Sequence, residues 1–185
     1  QGRLHFLETA EALKGLSIDL KMVTGWIPQK VPSWFVDGLG PLVARDRLHQ
    51  RLGLRRQIVD AGVPYEGLFW PEAKMQILYM LARFGMFDRS RASAIGWKAF
   101  GRATSRHLNG YDVFHVRSGA GQGGAIKAAK RSGMKVIVDH SIAHPAEIER
   151  NLGRLYQECG DVFDMGPNDP FFKLVVKDCA EADVL

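Results

Sequence analysis

Cysteine is nearly missing: the 185 residues hold two, Cys159 and Cys179. Neither has metal-ligand spacing, so the sequence points to buried free thiols in a reducing compartment and away from a thiolate metal site. Long apolar runs are missing too. None approaches the ~20 residues of a membrane-spanning helix. No signal-peptide pattern stands at the N-terminus, and the reading is a cytoplasmic protein. No internal repeat and no low-complexity segment is found. There is no initiator methionine, and helix-like sequence runs from Leu4 onward. The expectation is therefore one domain over residues 1–185 whose natural N-terminus, with a first strand and glycine turn, lies upstream.

What is present is enough apolar material for a core, at 46% of residues. The net charge is +5 and the pI near 9.4. That balance fits anionic partners: phosphate groups, nucleotides, nucleic acid or an anionic membrane surface. It also fits a soluble protein with a modest basic excess.

Along the chain, Gly2–Leu16 repeats apolar residues at helical spacing and ends at Gly15. Ile18–Thr24 alternates as a strand. Ile27–Pro41 is a proline-rich loop anchored by Trp34 and Phe35. Leu42–Leu52 reads as a basic amphipathic helix, and Ile58–Val63 is ambiguous. Tyr65–Pro71 is either a short strand or an aromatic loop. Helices follow at Glu72–Phe84 and Ser90–Leu108. Pro145–Glu158 opens on proline with acidic residues close behind, as a helix N-terminus favours. Asp161–Asn168 is a loop, Pro170–Ala180 a last helix, and Ala182–Leu185 the start of a strand. Alternating strands and helices predict an α/β fold, a parallel Rossmann-like sheet covered by helices on both faces.

The centre of the chain is Tyr111–Pro145. Tyr111–Val116 is an apolar strand, followed by Gly119, Gly121, Gly123 and Gly124. Ala125–Arg131 is a short helix closed by Gly133. Lys135–Val138 is a second buried-type strand. Polar residues gather where the strands end: His115, Arg117 and Ser118 after the first, and Asp139, His140, Ser141 and His144 after the second. Open α/β sheets bind ligands outside the carboxyl ends of their strands.

Three readings of this unit compete. Gly119, Gly121 and Gly124 satisfy G-x-G-x-x-G between strand and helix, with Asp139 about 20 residues on, as an NAD(P)-binding domain requires. Against it, the unit comes late in the chain and its first strand ends in an unusually polar His-x-Arg-Ser. A second reading is a sugar-transfer site. The third is a non-catalytic ligand-binding lobe.

The second reading rests on a resemblance. The chain has a helix opening Gly2-Arg3 and a strand ending Thr24-Gly25. Tyr-Asp-x-x-His-x-Arg-Ser follows at Tyr111–Ser118, then Gly-x-x-x-Ala-x-Lys-x-x-Gly at Gly124–Gly133. Val-Asp-His-Ser-x-x-His-Pro runs from Val138 to Pro145, and Asp-Cys-Ala-Glu-Ala-Asp-Val-Leu ends at Leu185. This order resembles the N-terminal domain of a GT-B glycosyltransferase, most similar to the retaining family 4 enzymes. The resemblance implies two facing Rossmann-like domains, with acceptor bound mostly by the N-terminal one and the nucleotide-sugar donor by a C-terminal one. It implies that Gly2 and Arg3 are the tail of a turn near the donor diphosphate. The family often has a histidine where this chain has Arg117. His115 lies two residues earlier and is expected on the other side of the strand. The resemblance implies no cofactor and no metal, a nucleotide-sugar donor, a glycan or lipid-linked acceptor, and no nucleic acid.

The residues assigned to the site are Arg117, Asp139 and His140 for the chemistry. Gly2, Arg3, His115, Ser118, Gly119, Ser141 and His144 are assigned to donor or acceptor. Arg117 stays charged and serves as an anion binder, not a base. Each has a structural alternative: His115 as a hydrogen-bonded strand residue, and Ser141 and His144 as caps of the helix at Pro145. Asp139, His140 and His144 have metal-ligand chemistry but no true zinc spacing. Trp26 and Trp34 shape either an acceptor pocket or the edge of the core. The arginine-rich stretches Arg45–Arg56 and Arg89–Arg106 are peripheral membrane contacts or, by default, solvated faces.

Overall fold

Among the described residues, β-branched and aromatic side chains build four short strands, and each finds a parallel partner. The computed structural model describes residues 2–27, 57–140, 143–161, 163 and 166–185, with side chains described from Phe6 onward. The expected loop to Pro41 with Trp34 and Phe35, the helix Leu42–Leu52 and the stretch Arg45–Arg56 lie outside the described residues. The chain divides between Phe69 and Trp70 into two units.

In the first unit, helix α1 covers Gly2–Gly15, strand β1 Met22–Gly25 and strand β2 Tyr65–Leu68, with residues 57–60 helical. β1 and β2 pair parallel, Met22 opposite Tyr65 and Gly25 opposite Leu68. The strand begins four residues later than Ile18. Ser17 takes a positive φ of 58° in a turn, and the first rung is the Met22 amide on the Pro64 carbonyl at 2.8 Å. Leu7, Ala10, Ile27, Ile58 and Val63 form this unit's core.

The second unit runs on through helices α2 (Phe69–Arg83) and α3 (Arg89–Thr104), the latter followed by a 3₁₀ turn at Ser105–His107. α2 starts three residues before Glu72, because Pro71 is tolerated in a first turn where its missing N–H is not needed. Asp88 caps α3 by accepting the Arg91 amide at 2.7 Å. Strand β3 (Val113–Arg117) and strand β4 (Lys135–Asp139) flank helix α4 (Ala125–Arg131). Helices α5 (Pro145–Glu158) and α6 (Pro170–Glu181) complete the unit. Both begin with proline behind a side-chain cap, His144 for α5 and Asp169 for α6.

β3 and β4 pair parallel, from Val113 opposite Lys135 to Arg117 opposite Asp139. Val184 adds an isolated parallel bridge to Ile137, where a new strand is expected from Ala182. Val136 and Val138 of β4 are fully buried beside Phe114 and Val116 of β3. α4 covers them with Ala125, Ile126 and Ala129, a short-residue face that lets helix and strands approach closely.

The fold is α/β with short parallel strand pairs. Among the described residues these are two separate two-stranded sheets, β1–β2 and β3–β4, and no single continuous sheet joins them. Each pair serves its own apolar cluster. One thiol expectation is corrected: Cys159 is exposed, since it caps the solvent-facing end of α5, and Cys179 is half-buried. Among the described residues no helix is long and apolar enough to cross a membrane.

Candidate functional site

The carboxyl ends of β3 and β4 bring four of the expected residues together. Register sets Arg117 directly opposite Asp139. The next residue on each chain extends the pairing: the Ser118 amide donates to the Asp139 carbonyl at 2.9 Å. Ser118 Oγ then lies 3.1 Å from His140 Nδ1. Ser118 is buried, whereas Arg117, Asp139 and His140 are half-buried.

His115 shares a face with Arg117, contrary to the expectation that it points the other way. Side chains alternate with a period of two, and here Phe114 and Val116 take the buried face while His115 and Arg117 take the other. Burial holds the His115 imidazole below its ordinary value, against the pull of Asp139. Burial, and then His144, likewise hold His140 low, again opposed by Asp139. Both rings therefore favour the neutral form. His140 Nε2 is shielded from solvent and has no hydrogen-bond partner among the described residues. The His140 and His144 rings meet edge to face, with centroids 6.3 Å apart. His144 spends its Nδ1 on the cap of α5, accepting the Ala146 amide at 3.3 Å.

Ser141 lies outside the described residues, as does the side chain of Arg3. Gly2 and Arg3 open α1, in the first unit. Among the described residues no group of three or more His, Cys, Asp or Glu is placed to hold a metal ion.

The glycine loop after β3 is occupied from within. Asp178 of α6 is fully buried, and one of its oxygens accepts the Gly119 amide at 2.7 Å and the Gly121 amide at 2.8 Å. The other oxygen accepts Gln122 Nε2 at 2.7 Å, and that amide also reaches Glu181 at 3.1 Å. Burial raises the Asp178 carboxyl above its ordinary value; the Gly121, Gln122 and Gly119 donors pull it back. The glycines are needed for packing. A side chain at Gly121 would strike Ile126 and Asp178, and one at Gly123 the carbonyl of Lys98. Gly123 also has φ 89°, a left-handed conformation that costs other residues.

These contacts limit the chemistry. A serine hydroxyl against a neutral imidazole is one half of an acyl-transfer nucleophile, which also needs amide donors for an oxyanion. Here the Gly119 amide belongs to Asp178 and the Ala120 amide to the Arg117 carbonyl at 3.0 Å. A dinucleotide's pyrophosphate would need the same glycine amides. What remains at the strand ends is a cation, a carboxylate, a hydroxyl and an imidazole: a set for binding and orienting polar, anionic ligands.

The sequence reading missed Asp178 and Gln122. A signal for Asp178 was present, since it falls on the stripe Phe171, Leu174, Val175, Asp178, where helical spacing expects an apolar residue. An open hollow of about 550 Å³ lies elsewhere, in the first unit, lined by Trp26, Val59, Tyr65 and Glu66 among others. Chemistry and hollow do not coincide, and the strand-end cluster is the better candidate because it converges four polar groups. No protein-family model matches the chain, and no curated protein or solved structure matches it either.

Proposed function

We propose that this chain is the acceptor-side, Rossmann-like N-terminal domain of a retaining GT-B glycosyltransferase, similar to family 4. It works in the cytoplasm on a nucleotide-sugar donor, with a glycan or lipid-linked acceptor. The observation that carries the reading is the pairing of Arg117 with Asp139 and of Ser118 with His140 at adjacent strand ends. In this role Arg117 stabilises negative charge on the departing diphosphate or an acidic acceptor group, and stays charged throughout. Asp139, Ser118 and His140 orient hydroxyls. No strong protein base is called for, in keeping with the neutral, half-buried imidazole. The nicotinamide alternative is weakened by Asp178, which holds the amides that a pyrophosphate would use.

Calorimetric titration of the chain with NADH, NADPH and a panel of nucleotide sugars tests the reading. The expected result is no nicotinamide binding and weak sugar-nucleotide binding. Turnover is expected only from a protein that also carries a donor-binding domain. There, Arg117→Ala should lower transfer by at least about tenfold, as for loss of a charge-assisted contact, with an unchanged melting temperature. Tight NADH or NADPH binding by the chain alone would overturn the proposal.

A further inference from the structure

Asp178 makes contacts that packing alone does not require. It sits on the apolar face of α6, it is fully buried, and all three of its hydrogen bonds run to one loop. Its partners start at Gly119, the residue after Ser118. Two glycine amides converge on a single side-chain oxygen, so the loop is bent around an acceptor supplied 57 to 59 residues further along the chain. The Ser118 amide is fixed to β4 on one side, and the Gly119 amide is fixed to α6 on the other. Between those two bonds the Ser118 side chain has a defined place, and that place is 3.1 Å from His140 Nδ1.

We propose that Asp178 is a positioning residue for the strand-end site: its side-chain oxygen is the resident acceptor for the glycine loop's amides, and through Gly119 it sets Ser118 against His140. This rests on the reading that Arg117, Ser118, Asp139 and His140 form the site. Asp178 touches no ligand. It takes the place that a phosphate occupies in a glycine-rich nest. Removing it frees the Gly119 and Gly121 amides and strands Gln122, so Ser118 leaves its position while the strand pairing persists.

The test is nuclear magnetic resonance of the His140 ring nitrogens in the 185-residue chain, for wild type, Ser118→Ala, Asp178→Ala and Asp178→Asn. Ser118→Ala defines the spectrum of an unheld ring. Asp178→Asn keeps an oxygen for the two glycine amides, and the Gln122 amide can turn to meet the new donor by giving up its bond to Glu181. The expected result is a wild-type His140 spectrum for Asp178→Asn and the Ser118→Ala spectrum for Asp178→Ala. Excess formate, a carboxylate small enough for the vacated space, should restore the wild-type spectrum in Asp178→Ala and leave Ser118→Ala unchanged. A folded Asp178→Ala chain with the wild-type spectrum overturns the proposal. So does an Asp178→Asn chain no better held than Asp178→Ala. If Asp178→Ala does not fold, Asp178→Asn alone decides: retained Ser118–His140 coupling supports the proposal and its loss in a folded chain overturns it. In a transferase assay of the full protein, Asp178→Ala should lower kcat by about tenfold, with KM within about twofold and Asp178→Asn close to wild type. The spectra need no sugar donor. The transferase reading can therefore fail with this inference intact, and transfer unaffected by Asp178→Ala would remove the inference alone.

Discussion

Three kinds of buried or hydrogen-bonded titrating group meet in the second unit, and their pH effects have different signs. His115 and His140 are held below 6.5, first of all by burial. As pH falls below 6.5 the unfolded chain takes up protons before the folded one, so stability is lost across that window. Asp183 is held below 3.8, chiefly by the Val136 amide it accepts at 2.8 Å, with Lys130 at 3.6 Å adding to it. Its contribution is present above 3.8 and disappears as pH falls through its lower folded value. Asp178 runs the other way: its raised value means the folded chain binds the proton more readily, so acid relieves the cost of its buried charge. Thermal melts across pH should therefore show two acid steps. His115→Gln with His140→Gln should remove the upper step, and Asp183→Asn the lower. An upper step that survives in the double histidine variant would mean these rings are not its source. At this scale the sequence was informative about residue type and weak about facing. It located Arg117, Ser118, Asp139 and His140 at strand ends, because strand ends follow from local pattern. It could not place Asp178 in the glycine loop, because nothing local connects residues 119 and 178.

Elements defined by their own caps were the most legible. Ala125–Arg131 and Pro145–Glu158 match the sequence reading to the residue, since glycine, proline and the capping groups fix where such helices begin and end. Strand ends were less so: β1 starts where Pro64 offers its first partner, a fact carried by a segment 42 residues away. Glycines divide the same way. Gly101 of α3 faces the Gln122 carbonyl of the loop, and a methyl group there would overlap backbone. Gly101→Ala should cost about 1–3 kcal/mol or more in urea unfolding, as overpacking does. Gly153, inside α5, has nothing near its missing Cβ. Gly153→Ala should stabilise by about 0.5–1 kcal/mol, the ordinary difference in helix propensity. Equal effects at the two positions would contradict the close approach of α3 to the loop.

At the scale of the molecule, the sequence predicted one sheet, and among the described residues there are two strand pairs, each with its own core cluster. Periodicity identified strands and said they were buried. It carried no information on which strand lies beside which, since every apolar run satisfies a parallel neighbour equally well. The two cores should respond separately. Ile126→Ala should cost about 2–5 kcal/mol as a buried cavity, and hydrogen exchange should quicken at the amides of β3 and β4. Ile58→Ala should quicken exchange at β1 and β2. Acceleration of all four strands by either substitution would show one cooperative unit instead of two.

The contact between residues 119 and 178 also has a meaning in time. A ribosome delivers β3, the glycine loop, α4 and β4 well before α6. During that interval the loop's amides have no carboxylate to close on, and β4 lacks the rung later supplied by Val184. Long-range closures of this kind are slow, because the chain entropy is lost before the contact forms. A nascent chain halted before Asp178 would carry β3, β4 and the loop between them without the carboxylate on which the Gly119 and Gly121 amides close.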